Sequence, residues 1–148
     1  MREIYKDIKD YEGLYQISNC GNIKSLAKKH PCNRCNKDRI LKPQISKKGY
    51  YIFNLSKNGK TKIHLLHRLL AEHFIENINN FKIVNHIDGN KLNNDLNNLE
   101  WCSFADNVKH AYKNGLMKNC KKVGKYDTND NFIKEYYSIN SASKENNI

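Results

Sequence analysis

Over the 42 residues from Gly21 to Lys62 the chain has one acidic side chain, Asp38, against twelve lysines and arginines. Apolar residues never run on long enough to span a bilayer, and the charged N-terminus has no apolar segment of the signal-peptide kind. These absences predict a soluble intracellular protein with no membrane partner. The five cysteines are odd in number and follow no regular framework, which suits a reducing compartment better than a secreted disulfide scaffold. At 148 residues the chain is one domain or two very small ones, with a modest core.

Charge is present, and it is concentrated. The formal net charge is +11, and residues 21–62 carry an equal surplus, the remaining segments nearly cancelling. A concentrated basic stretch usually meets a polyanion, with nucleic acid ahead of an acidic membrane surface. Lys24, Lys28, Lys29, Lys42, Lys47, Lys48, Lys57, Lys60 and Lys62 are the candidate contacts. For the part around Lys28, Lys29, Arg34 and Lys37, a solvated loop is the competing reading.

Local patterning predicts an α+β chain. Leu14–Ile17 and Ile23–Leu26 flank a turn at Asn19-Cys20-Gly21-Asn22, and a polar loop follows to about Arg39. Tyr50–Leu55 and Thr61–Leu66 flank Asn58-Gly59, a strong hairpin signal. The tyrosines Tyr50 and Tyr51 are expected to pack the sheet rather than stack on bases. Leu69, Leu70 and Phe74 in HRLLAEHF suit a short helix. Ser103 precedes a further helix running to about Lys113, with Gly115 placed to end it. The tail reads as KKVGKYD, a turn at Thr128–Asn131, FIKEYY and the start of a helix from Ser138.

VNHIDGNKLNNDLNNLEW, Val84–Trp101, holds six asparagines and one histidine between apolar anchors. Asn is common throughout the chain, so density alone assigns no role. The segment reads as strand (Ile83–His86), long polar loop, strand (Leu99–Cys102), then helix. Such a ββα unit brings His86 toward the helix face that carries Asn107 and His110.

VNHIDGN, NNLEW and DNVKHA together resemble the HNH endonuclease motif in the form found in homing endonucleases of mobile introns. His86, Asn98 and Asn107 carry the likeness. HRLLAEHF and the hairpin before it resemble the lead-in to this type of core. EIYKDIKDYEGLYQISNCGNIKSL resembles the small modular domain that precedes such cores, and KVGKYDTNDNFIKEYYSINSASKE resembles a second module with a helix-turn-helix-like end. The resemblance implies three parts: an N-terminal basic modular domain (1–62), a ββα-metal nuclease core (63–116) and a C-terminal DNA-binding segment (121–148). Many HNH enzymes have Asp where this chain has Asn85 and His where it has Asn107, so the implied metal site is nearly neutral.

The resemblance also implies roles. Histidine, with an ordinary pKa near ~6.5, suits a general base at neutral pH. His86 is the expected base, and Asn85 and Asn107 are the expected ligands of Mg²⁺ or Mn²⁺ through their carbonyl oxygens. Asn98 is expected to orient His86 or to pin the loop. His110, Asp88 and Arg68 are further candidates for metal or phosphate contact. Each has a structural alternative: helix packing for His110, the Asp88-Gly89-Asn90 turn for Asp88, an ion pair for Arg68. Cys32 and Cys35, with His30 nearby, invite a zinc reading. Zinc normally needs a second ligand pair that the sequence does not obviously supply, and free thiols in a basic loop are preferred. The expected partner is double-stranded DNA, met by a monomer. The rival reading is a catalytically inactive DNA-binding relic or regulator that keeps the same modules; a zinc-stabilised RNA-binding protein stands behind both.

Overall fold

The computed structural model describes residues 2–27, 37–116, 121–136 and 138–146. It divides into two compact units, Met1–Ser103 and Phe104–Ile148, with the division inside the expected nuclease core. Lys28, Lys29, His30, Cys32 and Cys35 lie outside the described residues.

In the first unit, β1 (Tyr5–Asp7), β2 (Tyr15–Ser18), β3 (Ile23–Ser25) and β4 (Arg39–Leu41) form an antiparallel sheet in chain order. Alternation puts Tyr15 and Ile17 of β2 inside, as period-two geometry requires. A three-stranded sheet follows, from β5 (Gln44–Ile45), β6 (Tyr51–Lys57) and β7 (Lys60–Leu65). The β6–β7 hairpin closes through Asn58 and Gly59, at φ 53° and 72°, the left-handed pair that a two-residue type I′ turn demands.

Helix α1 (Leu66–Phe74) begins where β7 ends. Leu66, Leu69 and Leu70 share one face and join Ile8, Ile17, Ile23 and Leu55 in the core. His73 fixes the far end of the helix. Its Nδ1–H donates to Leu69 O at 2.7 Å, and its Nε2 accepts from the Lys9 amide at 3.0 Å. Asn77 then clasps Phe81 by two hydrogen bonds of 2.8 and 2.9 Å, turning the chain into β8 (Ile83–His86). After a long loop and a 3₁₀ turn at Leu96–Asn98, β9 (Leu99–Cys102) returns antiparallel, with Asn85 opposite Glu100 and His86 opposite Leu99. Leu99 enters the common core, and the Trp101 indole donates to Ile75 O at 3.2 Å, so the hairpin is tied to the end of α1.

The second unit contains α2 (Phe104–Lys113), the β10 (Val123–Tyr126)–β11 (Phe132–Tyr136) hairpin and α3 (Ile139–Asn146). Gly115, at φ 65°, ends α2: its amide reaches Tyr112 O and the Leu116 amide reaches Ala111 O, the paired bonds of a Schellman motif. The α+β class expected from the sequence is what is observed. Strands β1, β4 and β5 are additions, two or three residues long, that carry no hydrophobic alternation of their own. No described helix is long and apolar enough to cross a membrane.

Candidate active site

The asparagine-rich loop is folded around one carboxylate. Asp88 Oδ1 accepts from the Asn90 amide at 2.8 Å and from Asn98 Nδ2 at 2.9 Å, and Oδ2 accepts from Asn93 Nδ2 at 2.7 Å. These donors hold the Asp88 carboxyl below the usual carboxylate range, the Asn93 side chain contributing most. Asn98 closes the ring: its Oδ1 accepts from the Asp88 amide at 3.0 Å and its Nδ2 also donates to Asn93 O at 2.9 Å. Its backbone carbonyl accepts from the Ile87 amide at 2.9 Å, next to His86. These bonds pin the loop. All three of these donors to Asp88 come from the loop itself.

His86 stands at the end of β8, 5% exposed, where the loop begins. Its Nε2 lies 3.4 Å from Asn94 Oδ1, while Asn94 Nδ2 donates to Leu92 O at 3.1 Å. The His67 ring meets His86 edge-on, centroids 5.0 Å apart, and Tyr50 lies 5.0 Å from His67 and 6.1 Å from His86. Lys91 Nζ sits 4.7 Å over the Tyr50 ring and donates to Lys48 O at 3.1 Å. Burial lowers the pKa of His86; the Asn94 bond and the Asp88 charge oppose that fall, and Lys91 adds to it. His67 is pushed down to about 4, chiefly by burial and further by His86 and Arg68. Both rings are therefore neutral at pH 7, which leaves His86 able to take a proton.

Asn85, 8% exposed, points to the other face of β8 from His86. Its Nδ2 donates to Glu100 Oε1 at 2.9 Å across the hairpin, so the amide's carbonyl end is the one left to meet a cation. An amide oxygen beside an exposed carboxylate suits a hard divalent ion, which takes oxygen donors. Among the described residues no three His, Cys, Asp or Glu side chains are grouped to hold a metal. Asn107 and His110 share a face of α2, in the second unit.

A groove of about 760 Å³ has Tyr50 and His67 in its wall. Lys47, Lys48, Arg68 and Lys82 also line it, over an apolar lining that includes Ile63 and Val84. Arg68 donates to Lys82 O at 2.8 Å. Lys42, Lys47, Lys48, Lys57, Lys60 and Lys62 are exposed; Lys24 is half-buried with Nζ 4.0 Å over the Tyr5 ring, and Lys57 Nζ is bonded to Asp10 O. A second groove, of about 790 Å³ and lined by Lys6, Lys9, Glu72, His73 and Trp101, shares no residue with the histidine cluster.

Sequence reasoning missed Asn94, Glu100, Lys91 and the place of Tyr50. Asn94 is one asparagine among six, and only the loop's closure distinguishes it. Glu100 is legible only once the register sets it opposite Asn85.

A family model described as HNH endonuclease matches residues 64–109, and one described as the NUMOD4 motif matches residues 3–56. The chain is 44% identical to an uncharacterized HNH endonuclease, L245, of Acanthamoeba polyphaga mimivirus, over 86% of this chain; it spans 36% of that relative's length. It is 36% identical to the DNA endonuclease I-HmuI of Bacillus phage SP01, covering 95% of this chain and 82% of that protein. A solved structure described as "DNA binding and cleavage by the HNH homing endonuclease I-HmuI" superposes with a TM-score of 0.64 at 36% identity, covering 96% of this chain and 82% of that one.

Proposed function

The chain belongs to the HNH endonuclease family, and from that premise we propose that it hydrolyses phosphodiester bonds of double-stranded DNA with a divalent metal, His86 serving as general base. The observation that carries this reading is a buried His86 held by Asn94 and packed on His67, which lines a groove together with Lys47, Lys48, Arg68 and Lys82. Its Bacillus phage relative is described as a DNA endonuclease.

The four cations meet phosphates of the DNA backbone, with Arg68 fixed in direction by its bond to Lys82 O. The exposed Lys42, Lys57, Lys60 and Lys62 extend that contact, and Lys28 and Lys29 are added to it from the sequence alone. His86 takes a proton from the attacking water. Asn98 holds the loop that carries His86's partner. Asn85 offers its carbonyl oxygen to Mg²⁺ or Mn²⁺, and the Glu100 carboxylate supplies the negative charge that Asn85 lacks. Asn107 as a second carbonyl donor, and His110 as a phosphate or metal contact, rest on the family pattern. When bound, such a cation stabilises charge on the scissile phosphate and the departing oxygen. The protein is proposed to act as a monomer, inside the cell.

Supercoiled plasmid incubated with the protein, with and without Mg²⁺ or Mn²⁺, tests the reading. Metal-dependent conversion to nicked or linear forms is expected. The neutral Asn85 favours the rival, DNA binding without cleavage; retarded plasmid that stays supercoiled at every metal concentration would establish it.

A further inference from the structure

The asparagine loop supplies more than a scaffold. We propose that Asn94 is a positioning residue that sets the tautomer of His86, so that Nε2 carries the hydrogen and Nδ1 is the basic nitrogen. The proposal rests on the reading of His86 as general base, but it is argued from the loop's own bonds.

An asparagine amide has a donor end and an acceptor end, and which end faces a neighbour follows from its other bonds. Asn94 Nδ2 donates to Leu92 O at 3.1 Å. That carbonyl accepts only, so the amide cannot be turned round without losing the bond. Oδ1 is therefore the end that lies 3.4 Å from His86 Nε2. An oxygen with no hydrogen facing a ring nitrogen favours N–H there, and a neutral imidazole has one N–H. Nδ1 is left with its lone pair. The contact is long for an N–H···O bond, as catalytic hydrogen bonds often are before substrate binds.

Two sets of contacts hold this arrangement. Asp88, Asn93 and Asn98 fix the loop on either side of Asn94, Asn98 bonding to both Asp88 and Asn93 O. His67 packs edge-on against the His86 ring, with Tyr50 on His67, limiting rotation that would exchange the two nitrogens. In the reaction, Nδ1 gains a proton from water as the water oxygen bonds to phosphorus and the bond from phosphorus to the departing sugar oxygen breaks, that oxygen taking a proton from solvent. The ring becomes an imidazolium, and its Nε2–H bond to Asn94 Oδ1 strengthens as the charge forms. Asn94 is thus to His86 what an orienting acceptor is to any histidine base.

Long-range ¹⁵N–¹H correlation spectra of ¹⁵N-histidine protein at pH 7.5, with His86 assigned by loss of its signals in His86→Ala, read the tautomer without any cleavage. The expected wild-type result is a protonated Nε2, an unprotonated Nδ1 and an Nε2–H protected from solvent. Asn94→Asp keeps an oxygen acceptor and should keep that protected N–H; Asn94→Leu should lose it. On plasmid with Mg²⁺, Asn94→Leu should slow cleavage by at least about tenfold, part of the ~10²–10⁴ a general base supplies, with plasmid affinity unchanged. A wild-type Nδ1–H, or an Asn94→Leu spectrum with Nε2–H still protected, overturns the assignment. The wild-type spectrum decides even where the variants fail to fold. A wild type that shows the expected tautomer but never cuts supports the assignment and sinks the nuclease reading instead.

Discussion

His86 and His67 lie in contact, and burial acts on both, yet they differ in what they face. His86 has Asn94 and the Asp88 charge to favour its protonated form, whereas His67 has only His86 and Arg68, which oppose it. The cleavage rate should therefore be flat from pH 8 to 7 and fall only below 6.5, as His86 gains a proton ahead of substrate; a fall beginning above pH 7 would show that the base is not this desolvated ring. His67 makes a separate prediction about stability. Its folded pKa, about 4, lies below its ordinary 6.5, so between those values the unfolded chain binds the extra proton. Stability should be complete above pH 6.5 and decline toward pH 4, by up to ~1.4 kcal/mol per pH unit for one proton. Urea midpoints across that window test it, and His67→Leu should flatten the slope. Asn85 makes the third residue-scale prediction. Asn85→Asp should tighten Mn²⁺ binding in calorimetry without DNA, by placing a carboxylate where an amide stands, and Glu100→Gln should weaken it. Equal affinities in all three proteins would place the ligands elsewhere.

The β8–β9 hairpin shows what could be read from sequence and what could not. Both strands occupy the predicted residues, Ile83–His86 and Leu99–Cys102, because apolar anchors on each side of a polar run leave little freedom of register. The Asn58-Gly59 turn was equally legible, since few residues adopt left-handed φ at two successive positions. Strands β4 and β5 escaped notice because their residues are largely exposed and owe their pairing to neighbours. Tyr50 lies against His67, a contact set by where α1 starts, which no pattern in the sequence marks. The division of labour between Asn94 and Asn98 depends on three-dimensional closure around Asp88, which no spacing encodes. Asn98→Ala should accordingly loosen residues 88–98. The three side-chain bonds it removes predict faster amide hydrogen exchange there, and a stability loss of ~1–3 kcal/mol, while the β2–β3 core keeps its protection. Uniform exchange across the unit would deny the loop this separate role.

At the scale of the whole molecule, the basic segment and the histidine cluster belong to the same unit. The exposed lysines of β6, β7 and the turn before β6 belong to Met1–Ser103, as do His86, His67 and the cation-lined groove. Binding to duplex DNA should therefore depend steeply on salt, log K falling with log salt at about −0.9 per phosphate neutralised. Replacing Lys47, Lys48 and Lys60 by Gln should flatten that slope; an unchanged slope and affinity would reduce the basic segment to a solvated surface. The central proposal is that the chain cuts DNA through His86. The direct measurement compares His86→Ala with wild type under Mg²⁺ on supercoiled plasmid, with DNA affinity measured in parallel. Cleavage slower by ~10²–10⁴ at unchanged affinity is the expected result, and a variant that still cuts at the wild-type rate would contradict it.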